Sequence, residues 1–122
     1  MDINQALKGL LDAKRKLEST DAINIPTVLS TQMDRLATYT SSVEEHLAEL
    51  EKQFEEAEAE AWHAAIKEGK SPSAAKTIAE YEVAKIKGEI KRLTRLVNSS
   101  WRLCGIKQSR YNHLINELKN QV

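Results

Sequence analysis

Residues 29–64, "LSTQMDRLATYTSSVEEHLAELEKQFEEAEAEAWHA", decide the fold. Positions alternately four and three residues apart are apolar or small over about five heptads, and Thr40 is the polar member among them. These positions are Leu29, Met33, Leu36, Thr40, Val43, Leu47, Leu50, Phe54, Ala57, Ala61 and Ala64. Such spacing places one seam along a helix, so the stretch predicts a long α-helix, about 26–68, with coiled-coil packing.

A reversal is predicted directly after this helix, in "KEGKSPSAAK" at residues 67–76. Gly69 suits the left-handed position just past a helix end, Ser71 can cap the next helix, and Pro72 fits a first helical turn. Because so short a turn joins them, the two long helices are expected to lie antiparallel.

The second long helix is predicted over about 72–120. Its seam begins with Ala79, Val83, Ile86, Ile90, Leu93 and Val97. The next set is Trp101, Cys104, Gln108, Tyr111, Ile115 and Leu118, and reaching it requires two successive steps of four, which is a stutter. The intervening 98–100 are mediocre helix formers, so a break there is the alternative to a continuous helix.

A shorter helix, about 2–19, precedes the long ones, and either Asp2 or Asn4 can cap it. Its apolar residues at helical spacing are Ile3, Leu7, Leu10, Leu11 and Leu17. The pattern breaks before Pro26, where Asp21 and Asn24 favour turns.

The predicted architecture is all-α: a short N-terminal helix plus a long antiparallel helical hairpin, with a three-helix bundle at the open end. In this register, position i faces roughly position 141 minus i. The tip half, about 47–90, has only two helices, which bury little apolar surface. A homo-oligomer, with a dimer favoured, is therefore expected.

Composition agrees with one helical domain, 1–122. Charged residues make up 30% of the chain and aromatic residues 5%, which is typical of long helices rather than of sheets. The single cysteine forms no internal disulfide, and no apolar run approaches the roughly 18 residues that span a bilayer. A cytoplasmic protein without membrane contact is expected.

The 18 cations and 18 anions of the chain are divided along it. Residues 44–60 contain eight glutamates against Lys52 alone, and residues 85–110 contain eight cations against Glu89 alone. The register brings the acidic stretch opposite 81–97. The two stretches therefore either pair with each other or present separate charged faces.

A line of cations marks the outward side of the last helix: Lys85, Arg92, Arg95 and Arg102, bordered by Lys91. Phosphate backbones bind such lines without sequence preference, which makes nucleic-acid binding the alternative function. The other interpretations are a solvated face, or a face covered by the glutamates of a second subunit.

Trp62 and Ile66 lie just off the ideal seam, near the predicted turn. They either close a small core with Ala75 and Ile78 or form an exposed anchor for a partner, since tryptophan is common in binding hot spots.

No catalytic, metal or cofactor site is predicted. Cys104 and His113 lie about 13 Å apart on one helix, too far to share a hydrogen bond. His46 and His63 have no second histidine at metal-binding spacing. An enzyme is therefore not expected.

The segment "GKSPSAAKTIAEYEVAKIKGEIKRLTRLVNSSWRLCGIKQSRYNHL" begins with a GxSP helix start and ends in a cluster containing "SRYN". It resembles the C-terminal helices of small all-helical accessory proteins encoded in the early or recombination regions of tailed phages. The resemblance implies a non-enzymatic protein that engages host or phage nucleic-acid machinery, in the host cytoplasm, and it transfers no functional residue. The expected function is a protein-interaction module, such as a phage accessory or inhibitor protein.

Overall fold

The computed structural model describes residues 1–19 and 25–121, and every regular element in them is a helix. These are α1 (Ile3–Glu18), α2 (Pro26–Lys67), α3 (Pro72–Glu82) and α4 (Ala84–Asn120). The all-α prediction is confirmed. The turn predicted at Asp21 and Asn24 lies outside the described residues.

Side-chain caps set where the shorter helices begin. Asp2 rather than Asn4 caps α1: its carboxylate accepts from the Gln5 backbone N–H at 2.8 Å, and the Gln5 side chain accepts from the Asp2 N–H at 3.3 Å. Ser71 caps α3 in the same way, accepting from the Ala74 N–H at 3.2 Å. Each cap satisfies an amide that the first helical turn leaves unpaired.

The chain reverses after α2 through a glycine in the left-handed conformation. Gly69 has φ +90°, its N–H donates to the Ile66 carbonyl, and the Lys70 N–H donates to the Ala65 carbonyl. This pair of bonds is a Schellman motif, which ends the helix and satisfies its last carbonyls. The reversal predicted at Gly69 is therefore built by backbone bonds.

The predicted single helix over 72–120 is interrupted once, at Val83 and not at 98–100. Val83 has φ −100° and ψ 3° and separates α3 from α4, although its N–H still donates to the Ala79 carbonyl. The hydroxyls of Ser99 and Ser100 both donate to the Leu96 carbonyl, at 3.0 and 2.8 Å. These serines bond back along their own helix and start no new one, so α4 continues through them.

The stutter predicted after Val97 is wrong. The buried positions of α4 are Leu93, Val97 and Ser100, which keep the spacing of four and three, whereas Trp101 is 39% exposed. A serine can occupy the seam because it is small and its hydroxyl is satisfied within the helix. The predicted seam passed from Val97 to Trp101 and so left out Ser100.

The described helices form two compact units: unit 1 comprises Met1–Glu44 and Leu96–Val122, and unit 2 comprises Glu45–Arg95. From the sequence, one helical domain over 1–122 is predicted. Unit 1 contains α1 and parts of α2 and α4, and unit 2 contains the rest of α2, all of α3 and the start of α4.

Unit 1 is a three-helix arrangement, as predicted for the open end. Its α1 contributes Ala6, Leu10, Ala13 and Leu17 to the core, and α2 contributes Leu29, Met33, Leu36, Thr40 and Val43. The predicted core position Leu11 is wrong, because that side chain is 54% exposed. Because Ala6 and Ala13 are buried, the apolar stripe through which α1 packs on the other helices is narrower than the positions of its leucines indicate.

Polar contacts tie the three helices of unit 1 together at its surface. Arg35 of α2 donates to the Asp12 carboxylate of α1 at 3.2 Å, and the Trp101 indole of α4 donates to the Glu44 carboxylate of α2. Lys14 of α1 reaches the Ser99 hydroxyl of α4 at 3.5 Å.

The stability of unit 1 should depend on the charge of Asp12 in acid. Hydrogen bonds from Arg15, Lys16 and Arg35 lower the pKa of Asp12 from 3.8 to about 2. Because the folded-state pKa is the lower one, the contribution of Asp12 to stability is present above pH 3.8 and is lost as the pH falls to about 2. We expect Asp12→Asn to destabilise the protein at neutral pH, and the difference from wild type to shrink over that interval in denaturant titrations.

The matched control is Asp34→Asn, which removes an exposed carboxylate that forms no ion pair in the described residues. A difference between wild type and Asp12→Asn that stays constant from neutral pH to about pH 2 would contradict the assignment.

Candidate functional site

Unit 2 leaves much of its seam half-covered. The buried apolar residues of unit 2 are Leu47, Leu50, Ala65, Ala75, Ala79, Val83 and Leu93. Those only half-buried are Phe54, Ala57, Ala61, Trp62, Ile66, Ala74, Ile78, Ile86 and Ile90. The predicted seam position Ala64 is exposed, and Ala65 is buried in its place. Most of the large apolar side chains near the turn are therefore still in contact with water.

Two sides of this seam differ in composition. The first, which we call the Trp62 face, holds a surface cavity of about 350 Å³ with Ala59, Trp62 and Ala79 in its lining, and a second of about 300 Å³ between Phe54 and Val83. Charged residues at the rims are Glu55, Glu58, Lys76, Glu80, Lys87 and Lys91.

The other side, which we call the Ile78 face, holds a surface cavity of about 540 Å³. Ile78 and four alanines line it, and its charged residues are all carboxylates: Glu60, Glu68 and Glu82. The Ile78 face is thus lined mainly by small apolar residues and is acidic, whereas the Trp62 face includes Trp62 and Phe54 and carries both charges.

Both predicted anchor residues are half-buried. The Trp62 ring meets the His63 ring edge-on with 5.1 Å between centroids, and it lines a cavity together with Ala79. Ile78, one of the two proposed core partners of Trp62, lies on the opposite face. Trp62 therefore has one side packed in unit 2 and another side available to a partner.

Oppositely charged side chains in unit 2 do not pair. Residues 45–95 are all described, and no Lys or Arg nitrogen among them lies within 4.0 Å of a carboxylate oxygen. Of the two alternatives that the sequence left open, pairing of the acidic stretch with the cations opposite it is not observed in unit 2. Both sets of side chains extend into solvent, where a surface ion pair gains little over hydration.

The predicted line of cations is divided between different surfaces of the molecule. Lys91 lies on the Trp62 face beside Lys87, whereas Lys85, Arg92 and Arg95 are exposed and line none of these cavities. Arg102 is also exposed and belongs to unit 1.

An exposed aromatic residue near these cations escaped the sequence argument. Tyr81, 82% exposed, lies four residues before Lys85. Tyr81 lies on α3, before the interruption at Val83, and outside the seam pattern, so the spacing of apolar residues does not reveal it.

Cys104 and His113 show no catalytic arrangement. Cys104 is half-buried, which raises the pKa of its thiol, and the His113 Nε2 lies 2.9 Å from a carboxylate oxygen of Glu117 on the same helix. A raised pKa disfavours the thiolate that nucleophilic chemistry requires.

Within residues 1–19 and 25–121, no group of three or more His, Cys, Asp or Glu side chains is placed to hold a metal ion. None of the helices in that part of the chain combines the length and apolar character needed to cross a membrane. No protein-family model matches the chain, and no curated protein or solved structure is significantly similar to it.

Proposed function

We propose that the protein is a non-enzymatic interaction module that docks through unit 2. The observation that supports this proposal is the half-buried apolar seam, which includes Phe54, Trp62, Ile78, Ile86 and Ile90. Helices packed in pairs leave such side chains partly wet, and burying them against another surface gives about 25 cal/mol for each Å² removed from water. Trp62 is the natural anchor, since tryptophan dominates many interfaces.

The partner proposed from the phage resemblance is a protein of host or phage nucleic-acid machinery, bound in the cytoplasm by an accessory or inhibitor protein. Fold alone does not assign such a role. The proposal therefore depends on recovering the partner itself.

The test is affinity capture from a host lysate with tagged wild-type protein and with Trp62→Ala. We expect wild type to retain a defined protein that Trp62→Ala loses, because truncation removes the anchor. Tyr81→Ala is the matched control, since it removes an exposed aromatic residue of the same unit that lines none of the three cavities. Capture by neither wild type nor the control, from a protein that is also strictly monomeric, would remove the support for this function.

Nucleic-acid binding is the second candidate, and the exposed ring of Tyr81, four residues before the exposed Lys85, favours it. Aromatic faces stack on bases while cations bind phosphates, and the combination suits single strands. Fluorescence anisotropy with single- and double-stranded DNA and RNA at two salt concentrations tests it.

If this second function holds, Tyr81→Ala should weaken single-strand binding by roughly tenfold, the loss of one stacked base. Arg92→Ala with Arg95→Ala should also reduce the salt dependence. Lys52→Ala, an exposed cation on α2, is the control and should change neither. Absence of binding at low salt would end this candidate.

A further inference from the structure

We infer that the Trp62 face of unit 2 binds the same face of a second copy of this chain, about a twofold axis parallel to α2. The inference rests on the proposed interaction function and names one partner for it. The product is a four-helix bundle made from two copies of unit 2, in which the half-covered seams form one core.

The first argument is the way charge is divided on the Trp62 face. On α2, the rim carries the carboxylates Glu55 and Glu58, while on α3 and α4 it carries Lys76, Lys87 and Lys91. Glu80 is the exception, a carboxylate on α3 between two of these lysines in sequence. No carboxylate of unit 2 pairs with a lysine of its own copy within 4.0 Å, so these charges remain available to another chain.

The direction of the axis follows from this division. A twofold axis parallel to the helices places α2 of one copy over α3 and α4 of the other, so the α2 glutamates meet a surface with three lysines, and Glu80 is its one carboxylate. An axis across the helices in the interface plane would instead place α2 over α2, where glutamate meets glutamate. Complementary charge therefore selects the parallel axis and makes all neighbouring helices antiparallel.

The same register identifies the contacts. Phe54, Glu58 and Lys87 line one cavity, so α2 near residue 55 lies at the level of α4 near Lys87. With the axis parallel to the helices, this level is the same in both copies. Glu55 of each copy then lies beside the partner's Lys87, and the two contacts are equivalent by symmetry.

Shape supports the same arrangement. The cavity of about 350 Å³ has alanines at two of its lining positions, Ala59 and Ala79, and the half-buried Trp62 lines the same cavity. Because Trp62 and Ala79 line one cavity, the axis also brings each indole toward the partner's Ala79. A large side chain meeting a small one is the usual way in which facing helices interdigitate.

The Ile78 face is not complementary in charge to a second copy of itself. Its charged residues Glu60, Glu68 and Glu82 are carboxylates on both α2 and α3. Any twofold packing of this face on itself therefore brings like charges together, which opposes association. The self-complementary surface is the Trp62 face.

A charge exchange between two samples of the full chain tests the inference. Glu55→Lys alone and Lys87→Glu alone should each weaken self-association by roughly tenfold or more, because each creates two like-charge contacts in the dimer. Mixing the two variants should restore a one-to-one heterodimer with nearly wild-type affinity, since both contacts again join opposite charges. Sedimentation equilibrium over a range of concentrations measures all of these states.

Two controls separate pairing from folding. Glu60→Lys makes the same charge change on the Ile78 face of α2 and should alter the dissociation constant by less than about twofold. The chain carrying both Glu55→Lys and Lys87→Glu should dimerise with itself as wild type does. Recovery in the mixture cannot come from a repaired fold, because each chain in it still carries its own single substitution.

The inference is overturned if wild type is monomeric at every concentration, if it dimerises equally well with either single substitution, or if the mixture shows no heterodimer. Retention of a foreign partner through Trp62 by a monomeric chain would overturn self-association and leave the proposed function intact. A monomer that also retains no partner would overturn both.

Discussion

Replacing Leu36 with alanine is expected to lower the free energy of unfolding by about 3 kcal/mol. Leu36 is 0% exposed and lies at the centre of the α2 seam in unit 1, between the buried Met33 and Thr40. Removing its branched end takes away apolar burial and leaves a cavity that the packed helices can fill only in part. Urea denaturation followed by circular dichroism, at one fixed protein concentration, measures the loss.

Leu11→Ala is the matched control for that prediction. Leu11 is 54% exposed on α1, so the same chemical change there should cost less than about 0.5 kcal/mol. If both substitutions lowered the free energy of unfolding equally, the α2 seam would not form the core of unit 1. Fixing the concentration matters because association would itself stabilise the folded state.

The second large effect is expected from Gly9→Leu, which should destabilise the protein by about 2 to 3 kcal/mol. A Cβ atom at position 9 would overlap the Tyr39 ring, so any side chain there forces this half-buried ring of α2 to move. The Arg35 guanidinium lies 5.8 Å from the centre of that ring, which adds a neighbour that must also move. Denaturant titration again measures the change.

Gly105→Leu separates this clash from general effects of the substitution. A Cβ atom at Gly105 would meet nothing within 4 Å, and leucine is a better helix former than glycine in the interior of α4. That variant should therefore be neutral or more stable by about 0.5 to 1 kcal/mol. A gain in stability at position 9 as well would contradict the overlap with Tyr39.

The parts of the fold that repeat could be predicted from spacing. From Leu29 to Leu50, every predicted seam position of α2 is buried, including Thr40, because a regular period determines one face without knowledge of the partner helix. Near Ala64 the prediction fails by one position, and on α1 it selected Leu11 instead of Ala13. In both places, which of the nearby positions is buried depends on how closely another helix approaches.

Polar residues in the seam were the main source of error on α4. Ser100 is fully buried because its hydroxyl donates to the Leu96 carbonyl, and nothing in the periodicity of apolar residues reveals that bond. Excluding Ser100 moved the predicted seam to Trp101 and created a stutter. The interruption at Val83 has no equivalent signal, since valine there also satisfies the heptad.

The sequence identified candidate residues of the site but not how their side chains are arranged. Trp62 and the cations were identified by residue type and spacing, and all of them reach the surface at least in part. The absence of ion pairs in unit 2 and the different charges of its two faces, one mixed and one acidic, depend on side-chain directions, which a register alone leaves open. Tyr81 was missed because it lies outside every seam.

The glycine reversal after α2 also bears on how fast each unit can form. Residues that meet in unit 2 near Gly69, such as Ala65 and Lys70, are close in sequence, so little loop-closure entropy opposes them. In unit 1, Lys14 and Ser99 are 85 residues apart and can meet only after the chain between them is arranged. Since rates fall as contacts become less local, we expect unit 2 to be structured in the folding transition state before α1 docks, with φ values near Ala75 exceeding those near Leu10.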